Sequence, residues 1–184
     1  MALDSDAAVI AASIADPEQF GLLFDRHATA MYRYFVRRVG ADAADSLLGE
    51  LFRVAFERRA TYDCERPNAR PWLYGIATRL LAHHHRSEAR RLRATARLVA
   101  VRERGTDPTD QLLGAIDAAA LWPVVAEAVA RLPEGERDVL FLYAWEDLSY
   151  QDIATALGLP IGTVRSRLNR ARRTLRELGD PSGR

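Results

Sequence analysis

Apolar residues recur three and four positions apart along most of this chain and never settle into strict alternation. That spacing gives each segment one apolar stripe, which must be buried against a neighbouring segment. The prediction is an all-α fold, without strands or internal repeats. Asp16 and Pro17 open the first clear run as N-cap and first helical residue. Phe20, Leu23, Phe24, His27, Met31, Tyr34 and Phe35 follow at helical spacing, and Gly40 ends the run. Leu47, Leu48, Leu51, Phe52 and Ala55 mark a second helix. "TYDCERPNARP", residues 61–71, reads as a loop because of Pro67, Asn68 and Pro71. The segment from Trp72 onward, "WLYGIATRLLAHHHRSEARRLRATARLVAVRER", reads as a long helix whose apolar stripe fades into arginine.

The "GTDPTD" cluster interrupts this pattern, and a second helical group follows it. Two compact all-helical modules are therefore expected, at residues 15–91 and 121–178, joined by a linker at 92–120 whose alanines favour some helix. The chain is 184 residues long and 48% apolar, so each module has material for a core.

The net charge of +1 conceals a segregated pattern. Residues 79–104 hold eight Arg against Glu88 and Glu103, and residues 165–184 hold seven Arg against Glu177 and Asp180. Residues 1–50 hold eight acidic residues against four Arg, and residues 105–164 hold ten against two. Two basic blocks set between acidic stretches suggest two sites for a polyanion, with another partner on the acidic surface. Every basic residue is Arg, and a GC-rich genome alone can produce that bias. Cys64 is the only cysteine, so no internal disulfide can form. The acidic start lacks the features of a signal peptide, and no apolar run is long enough to span a membrane. A cytoplasmic protein is expected, with no membrane contact.

The segment "LGLPIGTVRSRLNRARRTL", residues 157–175, combines an apolar stripe with dense positive charge. Just before it, Ser149 and Asp152 form a capping-box-like start to a short helix carrying Ile153, Ala154 and Leu157. Gly158 can adopt positive φ and end that helix, and a second helix begins near Pro160. This is a helix-turn-helix unit. At about 100° per residue, Val164, Leu168, Ala171 and Leu175 share a narrow arc, while Ser166, Asn169 and Arg173 lie opposite and Arg165 and Arg170 flank. The apolar arc docks the helix, and the other face suits a DNA major groove. Arg165, Ser166, Asn169 and Arg170 suit base or base-proximal contacts, and Arg172, Arg173 and Arg176 suit phosphates. The bland alternative is a solvated amphipathic helix with incidental arginine.

"LPEGERDVLFLYAWEDLSYQDIATALGLPIGTVRSRLNRARRTLREL" resembles region 4 of extracytoplasmic-function sigma factors, the small bacterial initiation factors of the sigma-70 family. "FGLLFDRHATAMYRYFVRRV", "LLGELFRVAFERR" and "RPWLYGIATRLLAHHHR" resemble region 2. The resemblance covers roughly residues 15–90 and 120–178, in the family's order. It implies that region 4 reads the minus-35 element through Thr163, Arg165, Ser166, Asn169, Arg170 and Arg173, and touches the polymerase β flap. It implies that region 2 binds the β′ clamp helices of core RNA polymerase through Asp45, Leu48, Glu50 and Leu51. The 61–70 loop and the helix from Trp72 to about Arg86 match the reader of the melted minus-10 strand, with Arg70, Trp72, Arg79, His83 and Arg86 as contacts. The family's anti-sigma factors imply a regulatory partner.

Melted DNA needs a basic groove with pockets or stacking faces. Trp72 and Tyr74 could stack on bases, but a place in the core of their helix is the stronger reading. Where the family often carries Asp-Leu-Val-Gln-Glu, this chain has Ser46-Leu47-Leu48-Gly49-Glu50, and Gly49 weakens the helix by about 1 kcal/mol relative to Ala. Arg79 replaces a frequent Asn, and unlike Asn it cannot accept a hydrogen bond.

His83, His84 and His85 project about 100° apart on a helix and cannot share one ion, so no metal or other cofactor is expected. No catalytic constellation appears, so no enzyme is expected. The alternative function is a stand-alone helix-turn-helix regulator with an N-terminal sensor or dimerisation module. A further rival is an interaction or antagonist module that imitates region 2.

Overall fold

The computed structural model describes residues 4–99 and 128–179, and all structural statements below concern these residues. They are helical and contain no strand. Helix α1 (Asp6–Ala15) precedes the first helix expected from the sequence. Ser5 caps it by accepting a hydrogen bond from the Ala8 N–H at 3.1 Å. Val9 and Ile10 of α1 are fully buried, so the helix is part of the first module's core.

Asp16 accepts from the Glu18 N–H and starts a 3-10 turn at Pro17–Phe20, which leads into α2 (Gly21–Val39). Gly40, at φ 80°, ends α2 and opens α3 (Ala41–Arg58). A second 3-10 turn, Arg59–Thr61, leads to the loop and then to α4 (Arg70–Val99). Leu23, Met31, Tyr34, Phe35, Leu51, Leu73 and Tyr74 are fully buried where α2, α3 and α4 meet. Helix α4 continues to Val99, past the linker start expected at 92. Residues 100–120 of that linker lie outside the described residues.

The second module contains α5 (Glu134–Ala144), α6 (Tyr150–Leu157) and α7 (Ile161–Gly179). Val139, Leu142, Ile153, Val164 and Leu168 form its centre with no exposed surface.

The two modules pack together, α6 lying on α4. At their crossing, a Cβ placed on Gly75 would lie 2.5 Å from the Ala156 carbonyl oxygen, so only glycine fits. Polar contacts surround this point. Arg37 and the Tyr74 hydroxyl both donate to the buried Glu146 carboxylate, and Arg70 donates to the Glu146 carbonyl at 2.7 Å. Arg38, nearly enclosed, donates to Asp138 at 2.5 Å and lies 4.8 Å over the Phe141 ring. Arg66 reaches Thr155 at 2.8 Å. Burial pushes the Asp138 carboxyl above the usual range despite Arg38, and burial with the Glu146 hydrogen bond pushes the Tyr74 hydroxyl up.

Candidate nucleic-acid interface

Helices α6 and α7 form the helix-turn-helix, and local chemistry fixes its angle. Ser149 accepts from the Asp152 N–H at 3.1 Å and donates to the Asp152 carboxylate at 2.6 Å, which starts α6. Gly158, at φ 64°, ends α6 in the left-handed conformation, and the Leu159 N–H returns to the Ala154 carbonyl at 2.9 Å. Pro160 leads α7, its carbonyl accepting from Thr163 and Val164 at 2.9 and 3.2 Å.

Val164, Leu168 and Ala171 are fully buried, and Leu175 packs at the edge of the same core. Arg165, Ser166, Asn169, Arg170 and Arg173 are exposed, with Thr163 half-buried between the faces. The structure thus brings together the expected minus-35 residues along one ridge. Their present partners differ. Ser166 donates to the Thr163 carbonyl at 3.0 Å. Arg170 donates to Glu136 of α5 at 2.8 Å, and Arg173 lies 3.7 Å from Glu177. Half-exposed ion pairs of this kind contribute about 0–1 kcal/mol, so either arginine can exchange its carboxylate for a phosphate or a base edge. Arg172 lies 5.0 Å over the Tyr143 ring, which carries it along the margin of the ridge.

The residues expected at the minus-10 strand separate into two groups. Arg79, His83 and Arg86 are exposed, four and three residues apart on one side of α4. Arg70 and Trp72 are engaged within the protein. Arg70 holds the Glu146 carbonyl, and its guanidinium lies 5.9 Å from the Tyr74 ring centre. The half-buried Trp72 packs 5.1 Å from the Tyr62 ring. Tyr74 is fully buried, which removes it as a stacking platform.

The loop ahead of α4 is tightly tied. Tyr62 donates to the Arg66 carbonyl at 2.6 Å, and burial pushes its hydroxyl up to about 12, so it remains a donor. Asn68 accepts from the Arg70 N–H at 2.9 Å and satisfies the first amide of α4. Asp63, Cys64 and Glu65 form the exposed tip. Asp6 and His27, neither of which sequence reasoning assigned to the site, stand behind this loop and hold its far end.

On α3, Asp45 is exposed, while Leu48 and Glu50 are half-buried. The Arg53 hydrogen bonds at 2.9 and 2.6 Å hold the Glu50 carboxyl below the usual range. Leu51 is fully buried, so it packs the bundle and leaves Asp45, Leu48 and Glu50 as the accessible members of that set. Arg37, Arg38, Asp138 and Glu146, which join the modules, were also not anticipated. Their pairings connect residues too distant in sequence for any local pattern to show. Among the described residues no three His, Cys, Asp or Glu side chains are placed to hold a metal, and no helix is long and apolar enough to cross a membrane.

Residues 23–91 match the family described as Sigma-70 region 2, and residues 124–175 match Sigma-70, region 4. The ECF RNA polymerase sigma factor BldN of Streptomyces coelicolor is 32% identical over 184 residues, covering 96% of this chain and 68% of that one. The ECF RNA polymerase sigma factor SigL of Mycobacterium tuberculosis is 32% identical over 179 residues, covering 94% and 98%. Among solved structures, CnrH in complex with the cytosolic domain of CnrY aligns at TM-score 0.66 and 25% identity, covering 98% of this chain and all of that one. The sigma factor RpoE of Bartonella quintana, in complex with the anti-sigma factor NepR, shares the fold at TM-score 0.59 and 22% identity, covering 90% and 99%.

Proposed function

This chain belongs to the extracytoplasmic-function family of RNA polymerase sigma factors, and on that premise we propose how its residues divide the work of promoter recognition. It directs core RNA polymerase to promoters and serves transcription initiation. The stand-alone regulator is not favoured, because the first module is itself a sigma region rather than a sensor.

The exposed ridge of α7 reads the minus-35 duplex. Arg165, Ser166, Asn169 and Arg170 reach base edges, Thr163 stands at the groove entrance, and Arg173 takes a phosphate. The observation that carries this is the division of α7 into a fully buried Val164–Leu168–Ala171 stripe and an opposing exposed cationic ridge. The row Arg79, His83 and Arg86 follows the backbone of the parted minus-10 strand, and the 62–69 loop takes an unpaired base. Arg70, held by the Glu146 carbonyl of the second module, reaches DNA only if the modules part, and Trp72 supports the loop through Tyr62. Asp45 and Leu48 offer an acidic and apolar edge of α3 to the polymerase clamp, Glu50 stands on the opposite margin of its exposed side, and Leu51 packs the bundle beneath. The modules are residues 15–91 and 121–178, with α1 added at the front of the first.

This division requires no catalytic step and no cofactor, and it places the protein's work in the cytoplasm. CnrH was solved with the cytosolic domain of CnrY. A protein antagonist of that kind occupies this chain too, and affinity capture from the native host should recover a second protein besides polymerase. Recovery of polymerase alone would count against the antagonist.

The test of the α7 assignment compares two substitutions in holoenzyme on a panel of minus-35 sequences. Asn169→Ala changes the order of preference, with about 1–3 kcal/mol lost at the base it reads. Arg173→Ala weakens all sequences alike and lowers the salt slope by about one. Equal effects of both changes on every sequence would overturn the assignment.

A further inference from the structure

We propose that Asp6, on the N-terminal helix α1, is a positioning residue for the loop that receives the melted minus-10 strand. The proposal rests on the reading of the 62–69 loop given above.

The connection runs both ways between α1 and the last three residues of the loop. The Asp6 and Ala7 N–H groups, at the unsatisfied start of α1, donate to the Pro67 carbonyl at 3.1 and 3.4 Å. The Asp6 carboxylate in return accepts the Ala69 N–H at 2.9 Å. Ala69 is fully buried, so without Asp6 its amide would be an unpaired donor at the base of α4. The same carboxylate takes His27 Nε2 at 2.8 Å and the Arg26 guanidinium at 3.1 Å, both from α2. One side chain thus joins α1, α2 and the loop end at a single point, itself only 7% exposed.

Its own position is firmly fixed. Val9 and Ile10 bury α1 against the bundle, and Arg59 donates to the Ser13 carbonyl at 3.3 Å beside the loop's entrance. Burial alone would push the Asp6 carboxyl up, but His27, the Ala69 N–H and Arg26 hold it at about 2. The anion therefore persists at any working pH. Asp6 does not reach the loop tip of Asp63, Cys64 and Glu65. It fixes the end from which that tip projects, and the span from Tyr62 to Ala69 is short enough for a displaced end to move the tip.

The test uses full-length protein in holoenzyme on promoters randomised at minus-10, with minus-35 held constant, and on the converse set. Asp6→Ala is expected to flatten minus-10 base preference about tenfold while leaving minus-35 preference and core affinity unchanged. Asp6→Asn keeps an oxygen for the Ala69 N–H and should retain more of the preference, about threefold flattened, even if Asp6→Ala fails to fold. A parental minus-10 preference in whichever variant folds overturns the proposal, as does an equal loss on every promoter. The control replaces Asp63, Cys64 and Glu65 together by Ala. If that change alters minus-10 preference and the Asp6 variants do not, the positioning role fails alone. If the loop change also leaves the preference intact, the loop reading itself fails.

Discussion

Asp6 contributes to the acid limb of the stability curve through a single buried side chain. Its folded pKa is held at about 2 against an unfolded 3.8, so its contribution is complete above about pH 5 and is lost progressively as pH falls through 3.8 and then about 2. The shift corresponds to about 2 kcal/mol. Urea unfolding should show Asp6→Asn less stable than the parent by about that amount at pH 6, with the gap closing near pH 2. A gap that persists at pH 2 would mean that the charge is not what holds the loop end. The neighbouring residues show how much the sequence discloses at this scale. The outward direction of Arg165, Asn169 and Arg173 was legible, because helical spacing fixes it once Val164, Leu168 and Ala171 define the inward stripe. The partners of Arg170 and Asp6 were not, since Glu136 and Ala69 come from distant segments. Leu51 shows the reverse difficulty. A family motif marks a helix as a contact surface, but only burial separates its outward residues from its core.

Individual helices were legible wherever an apolar stripe coincided with a terminal signal. Ser149 and Gly158 bracket α6 as expected, and Asp16 and Gly40 mark their boundaries. Helix α1 escaped because a ten-residue alanine-rich segment has little helix stability of its own and depends on burial of Val9 and Ile10. Ser5 followed by Asp6 was the signal that could have revealed it. Two glycines should respond in opposite directions. Gly158→Ala forces an L residue to φ 64° and should destabilise the second module by about 1 kcal/mol. Gly49, exposed within α3 with nothing within 4 Å of a new Cβ, should stabilise the first module by up to about 1 kcal/mol when changed to Ala. Thermal unfolding of each variant checks both signs.

For the whole molecule, composition and periodicity specified two helical modules but not how they meet. That arrangement depends on Gly75 against Ala156, Glu146 between Arg37 and Tyr74, and Asp138 against Arg38. Buried ion pairs of this kind contribute little to net stability, because desolvation offsets their attraction, so the close fit at the crossing matters more. Gly75→Val should therefore part the modules without unfolding either, seen as a larger radius of gyration in small-angle scattering with an unchanged helical signal. An unchanged radius would mean that α4 and α6 tolerate the added side chain at their crossing. On the proposed division of labour, the cationic ridge of α7 selects a duplex while the first module engages polymerase and the parted strand. Run-off transcription with core RNA polymerase and this protein on a genomic library tests it most directly. Discrete start sites preceded by two shared elements are expected, with the upstream one altered by Asn169→Ala. Transcripts no more specific than those of core polymerase alone would contradict it.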